Sequence, residues 1–190
     1  MRDYWKSGNM IYPLPAVMVT SKGSDGKDNI LTVAWSGTVC TNPAMAYISI
    51  RPERYSYKAI KESGEFVINL VTEELVKACD YCGVKSGRDV DKFKEMNLTR
   101  LELRDTLVPG LLESPVNIIC KVREIHEYGS HHMFVADVKS VCIDNKYMDD
   151  TNRFDLDKAK LITYSHGTYY SLGNRLGKFG YSIQKNRKKK

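Results

Sequence analysis

Two arginines, a tyrosine and a serine fall within six residues in Arg51-Pro52-Glu53-Arg54-Tyr55-Ser56, after a strand-like run and at the start of a helix-like one. Guanidinium groups present paired donors to phosphate or carboxylate, and a helix start adds unpaired backbone amides, so the cluster suits an anion. Arg51 and Ser56 are the strongest phosphate candidates, with Tyr55 between them. Arginines on a solvated turn would have the same composition.

Upstream, Thr32-Val33-Ala34-Trp35-Ser36 mixes small residues, which let a flat ring approach the backbone, with hydroxyls at Thr32 and Ser36. The run starts at Asn29 and reads as one strand to Ser36, paired with a second over Ala46-Tyr47-Ile48-Ser49-Ile50. Asn29, Ser49 and the 32–36 segment therefore form the candidate wall for a flat, aromatic, anionic ligand. A buried strand with no ligand satisfies the same pattern. Farther on, Cys82-Gly83-Val84-Lys85-Ser86-Gly87-Arg88-Asp89-Val90-Asp91-Lys92-Phe93 reads as a polar, glycine-containing loop. Lys85, Ser86 and Lys92 offer cations and a hydroxyl to an anion, and Phe93 offers a cover for a ring. A loop whose charges pair with one another is the alternative. Gly129-Ser130-His131-His132 places two histidines at a turn, and His131 is a candidate site residue.

These residues need elements to hold them. Ala16 to Ser21 is strand-like, and the turn formers of Lys22 to Asp28 lead into the Asn29 strand, so a hairpin is expected. Tyr55 to Ser63 reads as a short helix stopped by Gly64. Glu65 to Leu70 is a strand, and Thr72-Glu73-Glu74-Leu75 opens a helix with a hydroxyl cap candidate and carries Cys79 near its end. Pro115 to Glu127 has apolar residues at alternate positions, and His132 to Ile143 is its expected antiparallel neighbour across Tyr128-Gly129-Ser130. Short strands at Leu161 to Tyr164 and Thr168 to Leu172 follow. Many strands, few helices and no strand-helix-strand rhythm point to a mainly β antiparallel barrel with short α-helices.

The 190 residues, 42% of them hydrophobic, suit one domain over 1–184 with a basic tail at 185–190. That tail supplies five of the six net positive charges, leaving the body nearly neutral. A nucleic-acid-binding barrel using the tail is thus an alternative without a basic face to support it, and no specific nucleic acid is expected as a partner. No apolar run approaches membrane-helix length and no leader pattern occurs, so a cytoplasmic protein is expected. Five dispersed cysteines imply reduced thiols. Cys79 and Cys82 have redox spacing, yet no second pair completes a metal site, and no metal is expected. No dinucleotide or Walker fingerprint is present.

The ordered set of segments, Asn29 to Ser56, Cys82 to Phe93, Gly129 to Phe134 and Tyr169 to Gly173 with Gly177-Lys178-Phe179-Gly180, resembles the flavin reductase-like proteins, in particular the flavoredoxin group. The likeness runs from about Tyr12 to Phe179; Ser130 stands where the family's Gly-Asp-His segment has an acid. The resemblance implies a Greek-key split β-barrel that binds FMN, a homodimer, and electron transfer from NAD(P)H or a reduced electron-transfer protein to a flavin or another acceptor. It also implies that the flavin carries the chemistry, that no side chain need be catalytic, and that His131 stands on the electron-donor side. A related barrel acting on a small organic substrate, or a flavin-binding electron carrier without independent turnover, are the neighbouring possibilities.

Overall fold

The computed structural model describes residues 1–183, so the expected basic tail lies outside the described residues. The N-terminal arm is pinned by the two-residue strand β1 (Leu14–Pro15). The expected hairpin follows as β2 (Val17–Lys22) and β3 (Asp28–Val33), and β4 (Ser36–Cys40) and β5 (Met45–Ile50) form a second one. Helix α1 (Tyr55–Ser63) ends at Gly64, whose φ of 70° is the left-handed conformation that glycine adopts without steric cost. Strand β6 (Glu65–Leu70) comes next.

Helix α2 covers Val76–Val84 after a 3-10 turn at Glu73–Leu75. It therefore begins later than the sequence pattern suggests, and Thr72 makes no capping bond with its side chain. Cys79 consequently sits mid-helix, with Cys82 nearer the end. A four-residue helix, α3 (Lys92–Glu95), is capped by Asp91, whose carboxylate accepts from the amides of Phe93 and Lys94. Short strands β7 (Arg100–Leu101) and β8 (Gly110–Leu111) pair with each other. The long hairpin of β9 (Val116–Tyr128) and β10 (His131–Ile143) turns where expected. The described chain then adds helix α4 (Leu156–Ala159) and strands β11 (Ile162–Ser165) and β12 (Thr168–Ser171).

All pairings are antiparallel. Seven strands run in the order β3-β2-β6-β9-β10-β5-β4, with β1-β11-β12 as a separate sheet. One apolar cluster contains Leu31 and Val33 of β3 as well as Ile48 and Ile50 of β5, from opposite ends of that order, so the sheet curls around one core. Alternation assigns the faces: Val17 and Val19 look into this core while Met18 packs on a second cluster with Cys79, Cys82 and Phe93. Register shifts in β10 bend the long hairpin so that it serves the curved wall. The result is a mainly β, antiparallel split barrel.

The structure corrects one expectation about the wall. The run Asn29 to Ser36 is two strands, because the chain bends at Ala34 and Trp35. β3 pairs with β2, and β5 pairs with β4 and β10. The bend carries the chain across the split, where Ser49 N donates to Trp35 O at 2.7 Å. A continuous strand could not make that crossing.

Candidate functional site

Three crossings bring the candidate segments together. In the β5–β10 ladder His132 stands opposite Ile50, which sets His131 beside the start of the Arg51 segment. The bend after β3 sets Thr32, Val33 and Ala34 beside Ser49. Finally, α2 and α3 are tied across β3 by Thr32 Oγ1, which donates to Cys79 O, and by the Lys92 ammonium. The product is a groove with two connected parts that share Leu31, Arg51 and Arg54.

The narrower part, about 90 Å³, is lined by Leu31 to Ala34, Ser49, Arg51 and His131. Trp35 stacks on His131 from outside this lining, with centroids 6.4 Å apart and planes at 27°. Burial, then the Arg51 guanidinium, hold His131 below the ordinary imidazole value. Ser130 Oγ lies 2.9 Å from His131 Nδ1, occupying the position of an orienting partner.

The wider part, about 210 Å³, gathers Arg51, Arg54, Lys85, Arg88 and Lys92 around a single carboxylate, Glu53. Arg51 approaches Glu53 at 3.7 Å, whereas Arg54, Lys85, Arg88 and Lys92 pair with no carboxylate among the described residues. Arg54 Nη1 donates to Gly83 O at 3.1 Å and Arg88 Nη2 to Glu53 O at 3.2 Å, so both guanidinium groups are positioned by carbonyls. Lys92 is 3% exposed, and its Nζ donates to Ile30 O at 2.7 Å and to Cys82 O at 2.8 Å. The second of these carbonyls belongs to the last turn of α2, where a cation meets the negative end of the helix. An ammonium has three donors, so one remains for the groove that Lys92 lines. Burial pushes its pKa down to about 8.

Asn29 also lines this part and is fixed from behind: its Nδ2 donates to Ser56 Oγ at 2.7 Å, and Ser21 Oγ donates to the same oxygen at 3.0 Å. Ser56 is fully buried and reaches the groove through Asn29. The Tyr55 and Ser56 amides open α1, and neither has a backbone partner among the described residues.

Most candidates therefore converge, and five take positions other than those expected: Trp35 outside the lining, Ser56 buried behind Asn29, and Thr32, Ser36 and Phe93. Thr32 lines the groove, but its hydroxyl is turned to α2. Ser36 lies past the bend, buried, with no hydrogen-bond partner for its hydroxyl among the described residues, and it does not line the groove. Phe93 is 2% exposed in the second core, under the Arg100 guanidinium at 4.0 Å, so it covers no ring in the groove. The single turn of α3 buries Phe93 together with Lys92 and leaves Lys94 and Glu95 exposed. Ser86 lines the groove as expected, and its Oγ accepts from the Arg88 amide at 3.2 Å, which shapes the loop and leaves its O–H as a donor.

Arg54, Arg88 and Gly87 are among the additional lining residues. Gly87 has a legible physical reason: a Cβ there would lie 2.2 Å from Asn29 Oδ1 and 2.6 Å from the Tyr55 ring. Cys79 and Cys82 are fully buried, with thiols pushed up to about 12 and about 11 by burial.

A cationic pocket with free helix amides joined to a narrow, backbone-lined slot fits a phosphate ester carried on a flat heteroaromatic ring. The family model described as a flavin reductase like domain matches residues 9–173. A flavoredoxin of Desulfovibrio vulgaris (Miyazaki F) superposes with a TM-score of 0.90 at 27% identity, covering 97% of this chain and 100% of that one. A flavoredoxin from Methanosarcina acetivorans gives 0.85 at 26% identity, covering 96% and 100%. A curated relative from Archaeoglobus fulgidus, of no stated function, is 32% identical over 139 residues, 73% of this chain and 77% of that protein.

Proposed function

The chain belongs to the flavin reductase-like family, and on that premise we propose that it binds FMN in the two-part groove and passes electrons from NAD(P)H or a reduced electron-transfer protein to a flavin or another acceptor. The observation that carries this reading is the contiguity of the unpaired cations with the slot beside Thr32 to Ala34, since FMN joins a phosphate monoester to a flat ring through a short ribityl chain. When bound, the flavin supplies the two-electron chemistry itself. The protein's residues bind and orient it. Arg51, Arg54, Lys85, Arg88 and Lys92 hold the phosphate with the α1 amides, and Asn29 is kept in register by Ser56. The backbone of Thr32 to Ala34 and Ser49 faces the ring edge, and the aligned dipoles and nearby guanidinium groups favour negative charge there. His131 presents an imidazole at the open side, where a donor must arrive.

Reconstitution with FMN, followed by anaerobic addition of NADH, NADPH or a reduced ferredoxin-type protein, tests the proposal through the visible absorption band. Binding of FMN with bleaching by one of these donors is expected. Absence of flavin binding would end it.

A homodimer accompanies this reading, supported by large apolar residues exposed on both arms, among them Trp5, Ile11, Leu176 and Phe179. Sedimentation of the dilute FMN complex should show twice the chain mass; a monomer retaining stoichiometric FMN would remove the dimer from the proposal. The five free cysteines agree with a reducing compartment, the cytoplasm. Among the described residues no helix is long and apolar enough to cross a membrane.

A further inference from the structure

We infer that Arg88 sets the choice of FMN over FAD by closing the phosphate end of the groove. The inference rests on the flavin reading above and assigns the specificity of that same site.

Tyr55, Gly87 and Arg88 line the phosphate pocket on one side and a neighbouring hollow of about 460 Å³ on the other, so these three residues are the partition between the two. Arg88 spans that partition. Its backbone amide is held by Ser86 Oγ, its Nη2 reaches Glu53 O at 3.2 Å, and its guanidinium stands 6.0 Å from the Tyr55 ring centroid. Gly87 lets the loop press against Asn29 and Tyr55.

The balance of charge differs across this wall. On the inner side Arg54, Lys85, Arg88 and Lys92 have no carboxylate partner among the described residues, which leaves them free for a terminal phosphate. On the outer side Lys27 approaches Asp25 at 3.8 Å, and Arg100 bonds Asp28 at 2.9 Å and approaches Asp91 at 3.8 Å. With Asp89, that hollow holds three acids, Asp28, Asp89 and Asp91, against two bases other than Arg88. A monoester phosphate ends inside the wall and meets Arg88 with its full charge. The diphosphate of FAD must pass the wall, and its second phosphate and adenosine then enter a hollow that neutralises or repels phosphate.

The test is titration of FMN, FAD and riboflavin into flavin-free wild type, Arg88→Ala and Arg88→Lys. Wild type should bind FMN at least tenfold tighter than FAD. Arg88→Ala should lower the FMN-to-FAD affinity ratio at least fivefold and leave riboflavin unchanged, because the lost cation touches only phosphate and the lost side chain opens the exit. Arg88→Lys, which keeps charge without the span, should recover FMN affinity in part while still admitting FAD. Equal loss of FMN and FAD affinity in Arg88→Ala, no change in either, or wild type that binds FAD as well as FMN overturns the inference while flavin binding stands. Wild type that binds none of the three overturns the flavin reading and the inference together. Arg88 is exposed, so the variants are not expected to disturb folding, and thermal melts check this directly.

Discussion

At the scale of single residues, the groove separates those that can meet a ligand from those that hold others in place. Arg51 touches both parts of the groove and, among the described residues, pairs with Glu53 alone, at 3.7 Å and two-thirds exposed, a weak competitor for a phosphate. Arg51→Ala should therefore weaken FMN by roughly 1.5–3 kcal/mol, on the order of ten- to hundredfold, and riboflavin far less. Calorimetric titration of both ligands gives the comparison, and equal losses would mean that Arg51 packs on the ring and does not read phosphate. The paired thiols lead to the opposite expectation. Cys79 and Cys82 are buried beneath β3 with their thiolates suppressed, and a thiol that cannot ionise is a poor relay. Stopped-flow measurement on a Cys79→Ser, Cys82→Ser double variant should show donor-driven flavin reduction close to wild type at equal FMN loading. A loss of orders of magnitude would place the thiols in the electron path.

At the scale of elements, the site depends on how the α2–α3 loop is pressed to β3. Gly87 is the tightest point, since its missing side chain is the space that Asn29 and Tyr55 occupy. Asn29 cannot retreat, because Ser56 and Ser21 fix it from the core. Gly87→Ala should therefore displace the loop and lower FMN affinity at least tenfold while shifting the thermal midpoint little, as the loop adds little to either core. Gly83→Ala, whose Cβ would meet the Thr32 Cβ at 3.2 Å, should be milder in the same titration. Much of this was legible in the sequence. Alternation and turn formers gave the strands, Gly64 gave the end of α1, and the arginine cluster at that helix start became the cationic pocket. The break at Ala34 and Trp35 was hidden, because both flanking runs have strand composition and the bend follows from the split barrel's need to cross from β3 to β5. The inward turns of Thr32 and Phe93 were hidden for a related reason: side-chain facing depends on which neighbour covers a face, and α2 lies far along the chain from β3. Lys92 reads in the sequence as a cation offered to an anion, and composition does not show that its ammonium is also buried as a clamp between two carbonyls.

At the scale of the whole molecule, burying one lysine and three cysteines couples folding to pH with opposite signs. Burial lowers the Lys92 pKa from 10.5 to about 8. Below pH 8 the lysine is charged in both states; between 8 and 10.5 the unfolded chain binds more protons, so this group makes stability rise with pH. Burial raises Cys79 and Cys120 from 9.0 to about 12 and Cys82 to about 11. From about pH 8 upward the unfolded chain loses thiol protons that the folded protein keeps, so these three groups make stability fall. Between pH 8 and 9 the lysine adds about 1 kcal/mol and the three thiols, half ionised in the unfolded chain by pH 9, take away about as much. The flavin-free protein should thus hold a nearly level thermal midpoint from pH 8 to 9 and decline beyond. Lys92→Met should already decline from pH 8, losing roughly 2–4 °C by pH 9, because the thiols are then unopposed. Calorimetric scans from pH 7 to 10.5 on both proteins provide the measurement. A wild-type midpoint that falls between pH 8 and 9 as steeply as that of Lys92→Met would show that Lys92 does not fold with its ammonium buried between Ile30 and Cys82.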